Sequence, residues 1–270
     1  MSREWIDAVV LGLVQGITEF VPVSSDGHLA LAGFLFGIQE GGLTLTVLLH
    51  TGTLLATILV LRTRIWATLK AGVVALARPS RFTSDAAGRD AAFVLVASIP
   101  TGIIGLLLRD AVAAWTQSPL IVGIGFLLTG FVLASTAWAP LGRAEHPTVR
   151  AALLVGMMQG LAVAPGVSRS GLTIASLLFL GVQRSRAFEL SMLMSLPPIL
   201  GAILLEAGGH LSELDGLAVA TVGTIVAFIS GVAALLFLRR IVVGGRFHWF
   251  ALWVTPLALA TLALARSWPS

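Results

Sequence analysis

Few side chains in this sequence could carry a charge inside an apolar segment, and most of them stand close together. Glu19, Asp26 and His28 interrupt one apolar stretch, and Arg169 interrupts a second. Burying such groups in an apolar medium is costly, so within membranes they mark functional positions. A carboxylate, an imidazole and a guanidinium can act as base or ligand, proton relay and anion clamp. Together they suit acid–base chemistry on an anionic substrate.

Hydroxyl residues typical of helix N-termini accompany these charges. Ser24, Ser25 and Asp26 precede one apolar run, and Ser168 and Ser170 flank Arg169. A helix N-terminus offers free backbone N–H groups and a positive dipole end, and the arginine fork matches a phosphate. We expect the two N-termini to form one anion site, with phosphate as its ligand.

Spacing along the chain predicts which of these residues cooperate. Gln15 and Glu19 are four apart, and Ser25 and His28 are three apart, so each pair shares one helix face. A serine beside a histidine is a candidate nucleophile with its base. Attack by Ser25, by His28 or by water fits these residues; we favour Ser25 with His28 as its base.

Composition restricts the class of protein that holds these residues. Of 270 residues, 57% are hydrophobic and 11% charged, against roughly 25% charged in soluble domains. The mean hydropathy of +0.96 argues against a soluble domain, a disordered chain and an outer-membrane barrel. The absence of cysteine excludes disulfides and thiolate chemistry. We predict an all-α polytopic membrane protein, one domain over residues 1–270, that does not bind nucleic acid.

Six stretches are long and apolar enough, or nearly so, to span a bilayer as helices. Two further stretches, 6–37 and 151–181, are broken near their middles at residues 21–28 and 165–171. Each half is too short for a full span, and this pattern is typical of a re-entrant helix hairpin. The six predicted spans are 44–61, 91–108, 119–138, 188–205, 217–238 and 247–265.

Loop charge predicts the orientation, because cytoplasmic loops carry the excess of Lys and Arg. The acidic segment 206–216 then lies outside, together with both termini. Stretch 6–37 enters and returns from the outer face, and stretch 151–181 from the inner face. The basic segments that we place inside are 62–90, 139–150, 184–186 and 239–246.

The opposed hairpins indicate an inverted-topology repeat, with one repeat over about residues 1–140 and another over about 147–270. Folds of this kind place their site near the membrane midplane, where the broken helices meet. At an offset of 144, the residues Gly12, Gln15, Gly16, Val23, Ser24 and Gly27 match Gly156, Gln159, Gly160, Val167, Ser168 and Gly171.

Two segments resemble signatures of a known family. Residues 12–28, GLVQGITEFVPVSSDGH, closely resemble the first signature of the bacterial undecaprenyl-diphosphate phosphatases of the bacitracin-resistance type. Residues 165–171, PGVSRSG, resemble the second. Because length and span pattern also match, the resemblance covers nearly the whole chain.

The resemblance implies a hydrolase of the bacterial inner membrane that converts undecaprenyl diphosphate to the monophosphate. This product is the lipid carrier of peptidoglycan synthesis, and its recycling confers bacitracin resistance. The resemblance also implies a divalent cation, Mg²⁺ or Ca²⁺, and an active site open to the periplasmic face. The expected partners are the lipid substrate and membrane lipids, and the oligomeric state, a homodimer included, stays open.

Carried over by position, the catalytic residues are Glu19, Ser25, His28 and Arg169. The metal ligands are Gln15 and Glu19. This chain departs from the family at Gln15, where many members have Glu, and at Asp26, where Thr is common. Asp26 either supplies charge to the metal or caps the helix. The phosphate-binding residues are Ser24, Asp26, Gly27, Ser168, Arg169 and Ser170.

A transporter or lipid-carrier flippase is the alternative, because inverted repeats with broken helices are typical of transporters. Hydrolysis requires a nucleophile or an activated water beside the anion site, whereas transport does not. The Ser25 and His28 pair therefore favours the enzyme over the transporter.

Overall fold

A computed structural model describes residues 3–36, 42–210 and 217–267, and these residues form helices without a named strand. Most of the predicted outer acidic loop and both chain ends lie outside the described residues. The α-helices are α1 Arg3–Thr18, α2 Ser25–Phe36, α3 Gly42–Ala77, α4 Arg81–Ser84, α5 Ala86–Thr116, α6 Pro119–Ser135, α7 Val149–Leu161, α8 Arg169–Phe179, α9 Arg184–His210, α10 Leu217–Val243 and α11 Ala251–Ser267.

Both predicted breaks are present, one between α1 and α2 and the other between α7 and α8. The chain turns at Ser24, with φ of +68°, and at Gly166, with φ of +85°. Both values lie in the left-handed region, which glycine adopts freely and serine rarely does. Helices of 11 to 16 residues rise only about 16–24 Å, less than the roughly 30 Å hydrocarbon core of a bilayer.

Five helical segments of the described chain are long and apolar enough to cross a membrane, which confirms a multi-pass membrane protein. The remaining predicted span, 44–61, lies within α3, which is not one of these five. Large apolar side chains stay exposed on α1, at Val10, Leu13 and Ile17. An exposed apolar face is expected where lipid rather than water surrounds a helix. The five segments are 86–116, 119–138, 184–205, 217–243 and 247–267.

The first helix of each broken stretch packs along a long helix of the other predicted repeat. Helix α1 packs along α10, and α7 packs along α5. A β-carbon at Gly12 would lie 2.5 Å from the Gly223 carbonyl oxygen, and one at Gly156 would collide with the Ala97 carbonyl oxygen. Matched glycines therefore permit the same close approach of backbones in both halves.

Three of the four basic segments predicted to share the cytoplasmic face, 62–90, 139–150 and 184–186, meet around Asp90. Asp90 is buried between two arginines, with Arg64 Nη2 at 2.7 Å and Arg186 Nη2 at 2.5 Å from its carboxylate oxygens. Arg186 Nε also donates to the Glu145 carbonyl oxygen at 3.2 Å, and Arg186 pairs with Glu189. We call Arg64, Asp90, Arg186 and Glu189 the Asp90 cluster. It ties α3, α5, α9 and the α6–α7 connection together.

Candidate active site

The two breaks lie directly against each other. Ser170 Oγ, at the start of α8, donates to the Phe20 carbonyl oxygen in the first break at 3.0 Å. A β-carbon at Gly27 would lie 2.9 Å from the Gly166 Cα, so the absence of a side chain there permits the contact. Thr129 on α6 holds the second break, because its hydroxyl donates to the Gly166 carbonyl at 2.8 Å.

Glu19 is the centre of the polar contacts at this junction. Its Oε1 accepts from Arg169 Nη2 at 2.5 Å. Its Oε2 accepts from Ser25 Oγ at 2.9 Å and from Gln15 Nε2 at 3.1 Å. Glu19 is only 8% exposed, so its carboxylate is held by protein donors rather than by water. Residues separated by 150 positions thus form one ion pair, as the predicted meeting of the breaks requires.

A cavity of about 190 Å³ opens beside this junction. The predicted residues that line it are Glu19, Ser24, Ser25, Asp26, Ser168 and Arg169. Both breaks therefore present polar side chains to one space. Its remaining lining residues are Thr18, His50, Thr101, Gln159, Ala162, Val163, Val167, Pro198, Ile199 and Ala202.

Two buried polar atoms on the residues that contact Glu19 have no hydrogen-bond partner among the described residues. They are Arg169 Nη1 and Gln15 Oε1, and Gln159 Oε1, elsewhere in the cavity lining, has none either. An unsatisfied buried donor or acceptor costs about 1–3 kcal/mol, and more when charged. An anion at Arg169 Nη1 and a cation or donor at Gln15 Oε1 would satisfy them. The site therefore suits a ligand with negatively charged oxygens.

Ser25 and His28 do not engage each other in the way the sequence suggested. The Ser25 hydroxyl donates to Glu19, while His28 Nδ1 lies 2.8 Å from the Ser24 carbonyl oxygen. His28 Nε2 accepts from Trp253 Nε1 at 3.4 Å, and its ring stands edge-on to Phe126. The pair shares a helix face, but Ser25 is the first residue of α2 and its hydroxyl points back into the break. Glu19 is thus the proton acceptor next to Ser25.

The predicted phosphate-binding residues divide into two groups. Ser24, Asp26, Ser168 and Arg169 line the cavity, whereas Gly27 and Ser170 hold the breaks together. Ser24 Oγ accepts from the Gly27 N–H at 3.3 Å, and Ser168 Oγ accepts from the Gly171 N–H at 3.1 Å. These serines cap α2 and α8 in the same way, at positions 144 apart.

His50 is a cavity residue to which the sequence analysis assigned no role. It lines the cavity from α3, and its imidazole interacts electrostatically with Glu19. A signal for it was available, because His50 is an ionisable residue within the apolar stretch 44–61. Gln159, the repeat counterpart of Gln15, also lines the cavity, and its Nε2 donates to Thr101 Oγ1 at 3.2 Å and to the Met194 carbonyl at 3.0 Å.

The site offers oxygen ligands for a hard cation but no complete protein cage. No group of three or more His, Cys, Asp or Glu side chains in the described part of the chain is arranged to hold a metal. The unpartnered Gln15 Oε1, beside the Glu19 carboxylate, has the chemistry that Mg²⁺ and Ca²⁺ prefer. Mg²⁺ is commonly bound by one or two carboxylates together with substrate phosphates, so these residues fit a cation that binds with its substrate.

The arrangement is suited to phosphoryl transfer. A hydroxyl lies within hydrogen-bond distance of a carboxylate, which makes Ser25 a candidate nucleophile and Glu19 its base. Arg169 contacts the other carboxylate oxygen of Glu19 and has its Nη1 unpartnered, so it can hold phosphate oxygens and stabilise the charge of the transition state.

Comparison with known proteins agrees with this chemistry. The family model described as bacitracin resistance protein BacA matches residues 8–260. A protein of Desulforapulum autotrophicum named undecaprenyl-diphosphatase is 41% identical over 94% of this chain and 96% of its own length. Proteins of the same name from Desulfosudis oleivorans and Bacteroides fragilis are 44% and 35% identical, over 92% and 97% of this chain and 94% and 99% of theirs. The resemblance found in the two signatures is confirmed, and the chain belongs to the bacitracin resistance protein BacA family.

Proposed function

We propose that this protein is an undecaprenyl-diphosphate phosphatase, which releases the terminal phosphate and returns the monophosphate carrier to peptidoglycan synthesis. The family and its relatives support the activity. The observation that carries the proposal is the partly exposed Arg169, which is paired with Glu19 on one side and has a buried, unpartnered Nη1 beside a hydroxyl-lined cavity. Such a donor matches the oxygens of a terminal phosphate.

In the proposed mechanism, substrate binding rearranges the ion pair between Glu19 and Arg169. A phosphate that engages Arg169 competes with Glu19 for the guanidinium. Glu19 then loses part of its neutralising partner and becomes a better proton acceptor for Ser25, which already donates to it at 2.9 Å. Binding of the anion thus activates the nucleophile.

The reaction then proceeds in two steps. Ser25 Oγ attacks the terminal phosphorus while its proton passes to Glu19, and the bond to the bridging oxygen breaks, which releases undecaprenyl phosphate. Water next attacks the phosphoserine phosphorus, and the bond between phosphorus and Ser25 Oγ breaks. Glu19 returns its proton to Ser25 Oγ, and the water oxygen and protons leave with inorganic phosphate. Direct attack by water, with Glu19 as base, is the competing route and forms no phosphoserine.

His28 supports the first break in this arrangement. Its contact with the Ser24 carbonyl fixes the residue whose left-handed backbone turns the chain. A role as base for Ser25 would require the imidazole to leave both Ser24 and Trp253. We therefore assign the base role to Glu19 and a positioning role to His28.

A divalent cation completes the proposal. Gln15, which is fully buried beside Glu19, and Glu19, which lines the cavity with Asp26, would hold it, and substrate phosphate oxygens would complete its shell. A bound Mg²⁺ or Ca²⁺ would neutralise phosphate charge as the leaving group departs.

We further propose six spans, two re-entrant hairpins and an inverted repeat in the inner membrane, with the cavity open to the periplasm. The reciprocal packing of α1 on α10 and α7 on α5 supports the repeat. The gathering of the predicted cytoplasmic segments around Asp90 supports their common side. An inverted repeat is also what carrier flipping would use, and that activity is the second candidate.

Phosphate release from undecaprenyl diphosphate by the purified protein in detergent, with and without chelator, tests the proposal. Glu19→Gln should lose about 10²–10⁴-fold in rate, the typical contribution of an acid–base group. Asp7→Asn is the matched control, because Asp7 is in a partly exposed ion pair with Arg3, at 3.8 Å. A wild-type protein without hydrolytic activity, or a fully active Glu19→Gln, would overturn the assignment.

Two variants separate the routes. If Ser25 is the nucleophile, Ser25→Ala should be inactive and the wild type should form a phosphoserine in rapid-quench samples. If Glu19 is the base, His28→Gln should retain more activity than Glu19→Gln. Retained turnover in Ser25→Ala would favour direct attack by water.

A further inference from the structure

The second half of α3 differs from the segment that precedes it. The helix departs from helical geometry at Leu61, where φ is −105° and ψ is 15°. Beyond this point Trp66, Leu69, Val73 and Leu76 follow at spacings of three and four, and all are more than half exposed. They form one apolar face, which we call the Trp66 face. An exposed apolar face with basic neighbours is typical of a helix at a membrane surface.

A second cavity, of about 320 Å³, lies beside this face and is formed by α3, α4 and the start of α5. Two of its lining residues are basic, Lys70 and Arg81, and small side chains leave room between them. Ligand sites typically start at roughly this volume. The other lining residues are Ala67, Ala71, Val74, Asp85 and Ala87.

The charges of this cavity are not balanced within the protein. Lys70 Nζ lies 4.9 Å from the Trp66 ring centre. Among the described residues no carboxylate lies within ion-pair distance of Lys70 or Arg81. The Asp85 carboxylate is engaged as the cap of α5, where it accepts from the Ala87 N–H at 3.1 Å. Two cations therefore face one capping carboxylate, and the cavity is complementary to an anion.

We propose that this cavity binds the headgroup phosphate of an anionic glycerophospholipid, whose acyl chains lie against the Trp66 face. Basic pockets on the cytoplasmic side of membrane proteins recognise such headgroups, and each nearby Lys or Arg adds attraction. The adjoining apolar face favours a lipid over free phosphate, because only a lipid covers both surfaces. The residues of this cavity are distant in sequence from the Glu19 junction. The orientation proposed above determines only the leaflet from which the lipid comes.

Native mass spectrometry of the detergent-solubilised protein tests the proposal, with phosphatidylglycerol as the probe and phosphatidylcholine as the neutral comparison. Phosphatidylglycerol should be retained by the wild type and bind roughly 30-fold more weakly to Lys70→Ala/Arg81→Ala, from about 1 kcal/mol per basic residue. Arg143→Ala/Arg150→Ala, which removes two exposed arginines outside the cavity, should bind as the wild type does.

Equal phosphatidylglycerol binding by the cavity variant and the wild type would overturn the proposal. Displacement of the lipid by millimolar inorganic phosphate would also overturn it, by identifying a free anion as the ligand. Hydrolysis by Lys70→Ala/Arg81→Ala in neutral detergent should equal that of the wild type. This separates loss of lipid binding from loss of the fold or failure of the phosphatase assignment.

Discussion

At the scale of residues, Glu19 connects structure and chemistry. It pairs with Arg169 across the two breaks and accepts from Ser25 and Gln15. Removal of one partner of a buried ion pair typically destabilises a protein by about 3–5 kcal/mol, because the other charge stays uncompensated. Single substitutions at Glu19 or Arg169 therefore affect folding and catalysis together, and a combined variant is needed to separate them.

We predict that Arg169→Ala lowers hydrolysis by about 10²-fold or more, the scale of a lost transition-state donor. Arg169→Lys should also be strongly impaired, because lysine keeps the charge but loses the fork. In Glu19→Gln/Arg169→Ala no charge is left uncompensated, so its thermal midpoint should exceed that of Arg169→Ala while hydrolysis stays absent. Recovery of activity in the double variant would instead make the pair structural.

A second residue prediction concerns the cation. Gln15→Glu places a second carboxylate beside Glu19 and should raise the affinity for Mg²⁺, whereas Asp26→Thr should lower it. If Asp26 compensates for Gln15, the double variant should regain affinity near that of the wild type. Isothermal titration with Mg²⁺ measures this without turnover. Additive effects of the two changes would limit Asp26 to a role in the first turn of α2, which Ser24 caps.

At the scale of elements, small residues set the distances between helices. Gly12 and Gly16 bring α1 onto α10, and Gly156 and Gly160 bring α7 onto α5. The hydroxyls of Ser230 and Thr101 approach the carbonyl oxygens of Gly12 and Gly156, at 3.5 and 2.8 Å. The half-helices that carry the site are thus positioned by backbone contact.

We therefore predict that Gly12→Ala lowers the thermal midpoint in detergent. Its methyl group would press on backbone at Gly223, and such overpacking costs about 1–3 kcal/mol. Gly102→Ala is the matched control, because nothing lies within 4 Å of its added carbon. It should be neutral or more stable, since alanine is the better helix former by about 1 kcal/mol. Similar midpoints for the two variants would contradict the proposed close packing.

The helices and the breaks between them show which features the sequence predicts and which it does not. Pro22, Pro165 and the serines that follow them predicted the two breaks, because proline and N-cap chemistry act locally. The proton acceptor next to Ser25 depends on a side-chain direction within a turn, and spacing along an ideal helix does not determine it. Likewise Arg64 counted as a loop charge, although it lies within α3, three residues after the kink at Leu61, and tertiary packing places it in the Asp90 cluster.

At the scale of the whole molecule, three of the basic segments predicted to lie inside meet around Asp90. We predict that Ser84→Cys, in the first of these segments, is labelled by an impermeant thiol reagent only from the cytoplasm. Gln117→Cys follows the opposite end of α5 and should be labelled from outside. Both residues are exposed, and the chain has no other cysteine to interfere. Labelling of Ser84→Cys only from outside would reverse the proposed orientation.

The distance in sequence between Glu19 and Arg169 has a consequence for biogenesis. During translation α1 and its acidic residue are made 150 residues before their guanidinium partner, and α10, on which α1 packs, is made later still. The first half of the chain therefore leaves the ribosome before Arg169 can pair with Glu19 and before α10 covers the glycines of α1. Insertion of the early segments and completion of the site are separate events in time, and a nascent chain that stops before residue 169 lacks the guanidinium that pairs with Glu19.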